Sequence, residues 1–223
     1  MNNYYIIAID GPAGVGKSSV SMNVATKLGF TLIDTGAMYR SVALTAKENG
    51  IEIGDSKVID IAKNINVNFK TSTEGNKVFI DSRDVSTLIR TEEISKSASA
   101  VAKIKEVREY LVNKQREFSK TQSVVMEGRD IGSVVFPNAT VKIFLTADPK
   151  ERALRRFKEL QAKNRDINFE ETLKDLMSRD DNDTNRKESP LIKTADAIEI
   201  DTTHLTIDEV VEKIISIAKL RIK

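Results

Sequence analysis

Gly11-Pro12-Ala13-Gly14-Val15-Gly16-Lys17-Ser18 follows the apolar run Tyr4-Tyr5-Ile6-Ile7-Ala8-Ile9 and leads into a segment with apolar residues at helical spacing. The pattern G-x-x-x-x-G-K-S between a strand and a helix is that of a P-loop. Glycines let the backbone wrap so that successive N–H groups point inward and cradle phosphate oxygens, and the helix that follows adds its positive end. Gly11, Pro12, Ala13, Gly14, Val15, Gly16, Lys17, Ser18 and Ser19 are therefore the expected ATP-binding residues. Lys17 is expected to reach the β- and γ-phosphates as a point charge, and the Ser18 hydroxyl to take one coordination position on Mg²⁺.

Outward from this loop the chain alternates between strand and helix signals. Val20, Val24, Ala25 and Leu28 continue the first helix until Gly29, and Phe30-Thr31-Leu32-Ile33 reads as a buried strand. Asp34-Thr35-Gly36 lies beyond that strand, at the edge where open α/β sheets bind ligands, and the next helix carries Tyr39 and Arg40. Asp55 is a candidate cap for a short helix. Ile65, Val67 and Phe69 then alternate at period two and are answered across Glu74-Gly75-Asn76 by Val78-Phe79-Ile80, which predicts a hairpin inserted at about 63–90.

A long helical stretch from Thr91 to Ser119, broken near Lys103, carries Ser95, Ser97, Ser99 and Arg108. Ser123–Glu127 and Val141–Thr146 read as further strands, the first delivering Gly128-Arg129-Asp130-Ile131-Gly132 to the ligand edge. Asp148 with Pro149 and Glu151, and Asn168 with Glu171, have the spacing of capping boxes. Ala197–Ile200 and a helix capped by Thr206 and Glu209 close the chain. The expected fold is α/β, a five-stranded parallel sheet flanked by helices, formed as one domain over 1–223 with its core at 1–62 and 91–223.

Composition narrows the function. Lys and Arg number 35 against 33 acidic residues, so no global field grips nucleic acid. Without cysteine there is no disulfide, thiolate nucleophile or Cys-ligated metal. No apolar run approaches the roughly 20 residues needed to cross a bilayer. A cytoplasmic, soluble and monomeric protein with small-molecule substrates is expected, with neither nucleic acid nor membrane as partner.

A P-loop leaves open what becomes of the γ-phosphate. A GTPase would need N-K-x-D, and both Asn76-Lys77 and Asn113-Lys114 lack the aspartate. A small-molecule kinase instead needs a second anion site and a cationic cover that excludes water. Arg40, Arg108, Arg129, Arg179 and Arg186 fall at or near predicted crevice-side ends, and a cationic helix-loop-helix over 152–166 holds Arg152, Arg155, Arg156, Lys163 and Arg165.

Four motifs taken together resemble the bacterial cytidylate kinase family: Asp10–Lys17, Asp34-Thr35-Gly36-Ala37-Met38-Tyr39-Arg40, Gly128–Pro137, and Arg179-Asp180-Asp181-Asn182-Asp183-Thr184-Asn185-Arg186. The resemblance spans essentially the whole chain. It implies an adenylate-kinase-like core with a monophosphate-binding insertion and a helical lid, using ATP and Mg²⁺ to phosphorylate CMP and dCMP. It places the acceptor phosphate on Arg40, Arg129 and Arg186, which with Lys17 form the catalytic set. It also places the cytosine edge at Ser99, Arg108 and Asp130, the sugar at Arg179 and Asp183, and Thr35 and Tyr39 beside the acceptor.

Those roles make chemical sense. A carboxylate suits the cytosine amino group and a guanidinium its acceptors, whereas uracil would turn a carbonyl toward Asp130. Phosphate oxygens are already anionic, so no general base is required. Simpler alternatives stand beside these readings: His204 in a surface loop, the Arg152–Arg165 run as a solvated helix face, and Asp180, Asp181 and Asp183 as a helix-end turn. Asp10, Asp34 and Glu127 are equal candidates to steady Mg²⁺ waters. Another P-loop kinase, of the UMP/CMP or shikimate type, or an ATP-dependent binding switch remain the alternative functions.

Overall fold

The apolar run before the P-loop becomes β1 (Ile6–Asp10) in the computed structural model, which describes residues 4–72, 75–162 and 167–222. Ile7 and Ile9 face one side of the sheet and Ala8 the other, and all three are fully buried. Burial on both faces is what a parallel sheet covered by helices requires. β1 pairs in parallel with β6 (Val124–Gly128) and β7 (Val141–Thr146), with β2 (Thr31–Asp34) outside β6 and β8 (Ile198–Asp201) outside β7. The order β2-β6-β1-β7-β8 is the expected five-stranded parallel sheet. Because the chain moves from β1 to one side and later returns to the other, the carboxyl end of β1 is the switch point where a crevice opens.

One face of the sheet is covered by α1 (Lys17–Leu28) and α8 (Ile207–Lys219). Thr206 and Glu209 form a reciprocal capping box on α8, as expected. A cap contributes about 1 kcal/mol. The buried Val210, Val211, Ile214 and Ile215 each contribute about 1.5–3 kcal/mol, so packing rather than capping holds this helix.

The other side is built by α2 (Thr35–Glu48), α3 (Lys57–Asn64), α4 (Glu92–Val101) and α5 (Lys105–Phe118), which share a second core with the inserted sheet. The insertion pairs β3 (Val67–Ser72) with β4 (Gly75–Ile80), and a third strand, β5 (Arg83–Asp84), lies antiparallel to β4. The hairpin reading stopped one strand short, because two exposed residues carry no alternating pattern. Gly75 and Asn76, read as turn, belong to β4, while Glu74 lies outside the described residues. The break near Lys103 separates α4 from α5. Asp55 accepts from the Lys57 N–H at 2.8 Å and so assists the start of α3.

Beyond β7, α6 (Pro149–Gln161) and α7 (Phe169–Asn185) pack against each other. Asp148 caps α6 as expected, but Glu151 does not complete a capping box. The Asp148 N–H donates to Thr203 Oγ1 at 3.0 Å, and Glu151 pairs with Arg155. Lys163 and Arg165 lie outside the described residues.

Candidate active site

The P-loop turns directly out of β1 at Gly11, whose φ of +150° and close approach to β7 admit only glycine; a Cβ there would lie 2.3 Å from the Leu145 carbonyl oxygen. Lys17 is buried, and its ammonium donates to the Gly11 and Pro12 carbonyls at 2.7 and 2.6 Å. Burial, followed by the neighbouring Arg129, pushes its pKa well below the usual lysine range. Ser18 and Ser19 open α1 and are exposed. Ser18 Oγ donates to Glu127 Oε2 at 3.2 Å.

The P-loop is also held by α6, which begins the run assigned to a cover, and by α7, which lies beyond it. Asp180 on α7 accepts the Ala13 N–H at 2.9 Å, and buried Arg152 on α6 donates to the Ala13 carbonyl at 2.9 Å and pairs with Asp180. Arg155 turns the other way, onto the Thr202 and Thr203 carbonyls at 2.7 and 3.1 Å. Arg156 pairs with Glu159 on its own helix. At 3.6 residues per turn, 155 lies about 60° to one side of 152 and 156 about 40° to the other, so Arg155 and Arg156 splay apart across Arg152.

From the β2 side, Asp34 caps α2 by accepting the Ala37 N–H at 2.9 Å, and its second oxygen holds Arg40 at 2.7 Å. α2 starts at Thr35, directly after the strand. Thr35 Oγ1 donates to the Glu127 carbonyl at 2.8 Å. This contact needs Gly128, since a Cβ there would lie 2.7 Å from that hydroxyl.

Arg129 and Asp130 follow β6 and meet the end of α7. Arg129 Nε donates to Asp183 at 2.7 Å. Burial opposes its charge, but the Asp183 carboxylate more than offsets that and leaves the guanidinium above its ordinary range. Burial likewise works against Asp183's charge, and Arg129 nonetheless holds its carboxyl below the ordinary value. Asp130 pairs with Arg108 of α5, both buried, and Arg186 lies 3.8 Å from the other Asp130 oxygen and 3.6 Å from Asp183. The Arg108 guanidinium stands over the Tyr39 ring, 5.5 Å from its centroid. Burial pushes the Tyr39 phenol up to about 12, so it stays a neutral hydrogen-bonding wall.

Arg179 makes no ion pair among the described residues. Burial first, and Arg129 next, lower its pKa. Ser99 donates to the Ser95 carbonyl of its own helix at 3.3 Å.

Some of the unsatisfied buried atoms belong to these residues. Arg40 Nε, Arg108 Nε, Arg186 Nη2 and Glu127 Oε1 are buried without a hydrogen-bond partner among the described residues. Orphaned buried donors cost about 1–3 kcal/mol each, which a bound anion would recover. Burial, with the Asp34 charge second, raises the Glu127 carboxyl to about 7.

The three carboxylates left equal by the sequence now differ. Both Asp10 oxygens accept backbone N–H groups, from Ile131 and Gly132 at 2.8 and 2.7 Å, and both Asp34 oxygens are taken. Glu127 alone of the three keeps a free oxygen. Sequence reasoning missed Asp34 and Asp180 as partners of Arg40 and Arg152. Asp34's cap position was the one readable signal.

The sequence profile of the cytidylate kinase family matches residues 7–220. A cytidylate kinase from Alkaliphilus oremlandii is 50% identical over 214 residues, covering 96% of this chain and 97% of that protein. One from Fusobacterium nucleatum is 52% identical over 207 residues, covering 92% and 93%. Among solved structures, an uncharacterized protein from Eubacterium ventriosum superposes with a TM-score of 0.56 at 14% identity, covering 98% of this chain and all of that one; this likeness concerns the fold alone.

Proposed function

The chain belongs to the cytidylate kinase family, and from that premise we propose that it transfers the γ-phosphoryl group of ATP to CMP or dCMP, giving ADP and CDP or dCDP. The observation that carries this reading is that two of the arginines assigned to the acceptor phosphate, through Arg40 Nε and Arg186 Nη2, keep buried donors without a hydrogen-bond partner among the described residues. A second phosphate accounts for them; hydrolysis would need no second phosphate site.

In this reading the P-loop amides and Lys17 hold the donor's phosphates. Arg40, Arg129 and Arg186 hold the acceptor phosphate, with Arg179 and Asp183 at the sugar and Thr35 beside it. An acceptor oxygen attacks the γ-phosphorus in line as the bond to the β-γ bridging oxygen breaks, and ADP keeps that electron pair. No proton has to be removed from the nucleophile. Catalysis is then positioning and charge neutralisation by fixed cations in a dry crevice.

The Arg108–Asp130 pair suits a cytosine edge, because it offers donors and an acceptor side by side, with Tyr39 as its neutral wall. Ser99 is assigned to the same edge, which requires its hydroxyl to leave the Ser95 carbonyl. Residues 63–90 are assigned to the acceptor-side insertion and 152–166 to the lid, with Arg152, Arg155 and Arg156 on α6.

Ser18 and Glu127 fit a hard divalent cation, since both supply oxygen and Glu127 Oε1 is buried and free. They would hold Mg²⁺, which when bound neutralises phosphate charge. No helix among the described residues is long and apolar enough to cross a membrane. A cytoplasmic monomer acting on small molecules is the form we propose. The test is diphosphate formation from Mg-ATP with CMP, dCMP, UMP, AMP, GMP and shikimate supplied separately and resolved by chromatography. Fast turnover of CMP and dCMP with UMP far behind is expected; none phosphorylated while ATP still binds would remove the kinase reading.

A further inference from the structure

Asp10 is the last residue of β1 and is buried, yet it touches neither the P-loop amides nor an arginine. Its two carboxylate oxygens accept the backbone N–H groups of Ile131 and Gly132, at 2.8 and 2.7 Å. The strand it ends is paired on both sides, with Asp10 itself opposite Gly128 of β6 and Phe144 of β7. The partner amides open one turn of π-helix, Ile131–Val135, which follows immediately on Arg129 and Asp130. Gly132 is wedged in place: a Cβ there would lie 3.2 Å from the Lys142 side chain and 3.4 Å from Asp10 Oδ2.

We propose that Asp10 is a positioning residue for phosphoryl transfer, tying the acceptor-reading turn to the strand that launches the phosphate loop. One side chain thereby fixes the distance between the donor's cradle and the groups assigned to the acceptor. A charged acceptor with two short bonds to backbone N–H groups is among the stronger tethers a protein can make. The strand end is held by ladder pairing on both sides, whereas the turn is held at its far end, where Arg116 donates to the Val134 and Val135 carbonyls at 2.9 and 3.0 Å, and at its start by Asp10; loosening the tether therefore shifts the start of the turn, with Arg129 and Asp130, and leaves the P-loop in place. In-line transfer is steeply sensitive to such motion, with misplacement by about 1 Å costing on the order of a hundredfold.

This inference rests on the assignment of Arg129 and Asp130 to the acceptor, and the experiment separates the two. In the full-length protein, Asp10→Asn retains one acceptor oxygen and presents an amide to the Gly132 N–H, donor against donor. Asp10→Glu keeps the charge but adds a methylene, which carries the carboxylate off the two amides. Initial rates against CMP at saturating Mg-ATP, ATP affinity by calorimetry, and amide exchange of peptides covering 128–135 and 11–18 are measured for both variants, with Arg129→Ala alongside.

Each variant is expected to lower kcat/KM for CMP about tenfold or more, to leave ATP affinity within about twofold, and to speed exchange in 128–135 but not in 11–18. A kcat/KM for CMP within twofold of the parent, or an equal loss of ATP affinity, overturns the tether. Should Asp10→Asn fail to fold, Asp10→Glu decides by the same criteria. If Arg129→Ala leaves CMP kinetics unchanged, the acceptor assignment itself has failed; if it impairs them while the tether variants do not, only the inference about Asp10 has.

Discussion

Replacing Asp130 with asparagine isolates base recognition from phosphate binding. The Asp130 and Arg108 side chains are 9% and 5% exposed, and Arg186 sits 3.8 Å from the second oxygen. Removing one partner of a buried ion pair costs about 3–5 kcal/mol; asparagine keeps one acceptor oxygen, so the lower end, about 3 kcal/mol, is expected. For a chain of this size that lowers the melting temperature by about 6–12 °C.

The effect on catalysis is separable from that loss. A hydrogen bond to a charged group contributes about 1.5–3 kcal/mol, so CMP loses roughly 10- to 150-fold in kcat/KM. UMP loses little, because the asparagine amide can donate to its carbonyl. The assay is coupled ADP release with CMP and UMP for both proteins, with the melting curve recorded in parallel. A CMP-to-UMP ratio that falls at least tenfold, with ATP affinity within about twofold, is the expected result. An unchanged ratio in a variant with the lowered melting temperature would show that the pair is structural and that the base is read elsewhere.

Arg40→Ala, which removes the donor held by Asp34, should raise KM for CMP, dCMP and UMP alike by about tenfold or more; steady-state kinetics that shift only the preference among bases would place Arg40 at the base. Gly128→Ala sets a Cβ 2.6 Å from Ile131 Cδ1 and 2.7 Å from Thr35 Oγ1, and should lower kcat/KM for CMP about tenfold or more in the same assay. For Glu127, burial raises the carboxyl from 4.5 to about 7. A carboxyl whose folded value lies above its unfolded one gives its full stability below the unfolded value and loses it as pH rises through the folded one. That span corresponds to about 3 kcal/mol between pH 4.5 and pH 7. Between pH 5 and 8, ligand-free wild type should therefore lose about 6 °C or more in melting temperature relative to Glu127→Gln by scanning calorimetry; parallel curves would show that Glu127 ionises without cost.

Local signals were readable in the sequence where one short stretch decided the structure. The P-loop, the break near Lys103 and the Thr206–Glu209 cap each depend on residues a few positions apart. β5 was not readable, because its pairing partner and not its own two residues makes it a strand. Glu151 has capping-box spacing, yet Thr203, more than fifty residues away, takes the N–H it would have met.

The same limit governs the site. Arg129, Asp183 and Arg186 can be named from motifs, but their pairing depends on β6 and the end of α7 meeting in space. Asp10 and Glu127 look alike in sequence; only packing shows that one is saturated by backbone amides and the other keeps a free oxygen. Within the cationic run, periodicity sets Arg155 and Arg156 on opposite flanks of Arg152, but it could not say that Arg152 is held by the P-loop itself.

Phosphorus NMR of the enzyme with Mg-ATP and equimolar CMP tests the central claim most directly, because it follows the γ-phosphorus to its destination. Direct transfer predicts ADP and CDP appearing in equal amounts with no inorganic phosphate beyond the background of a CMP-free control. Inorganic phosphate growing in step with ADP while CMP stays unchanged would contradict the account.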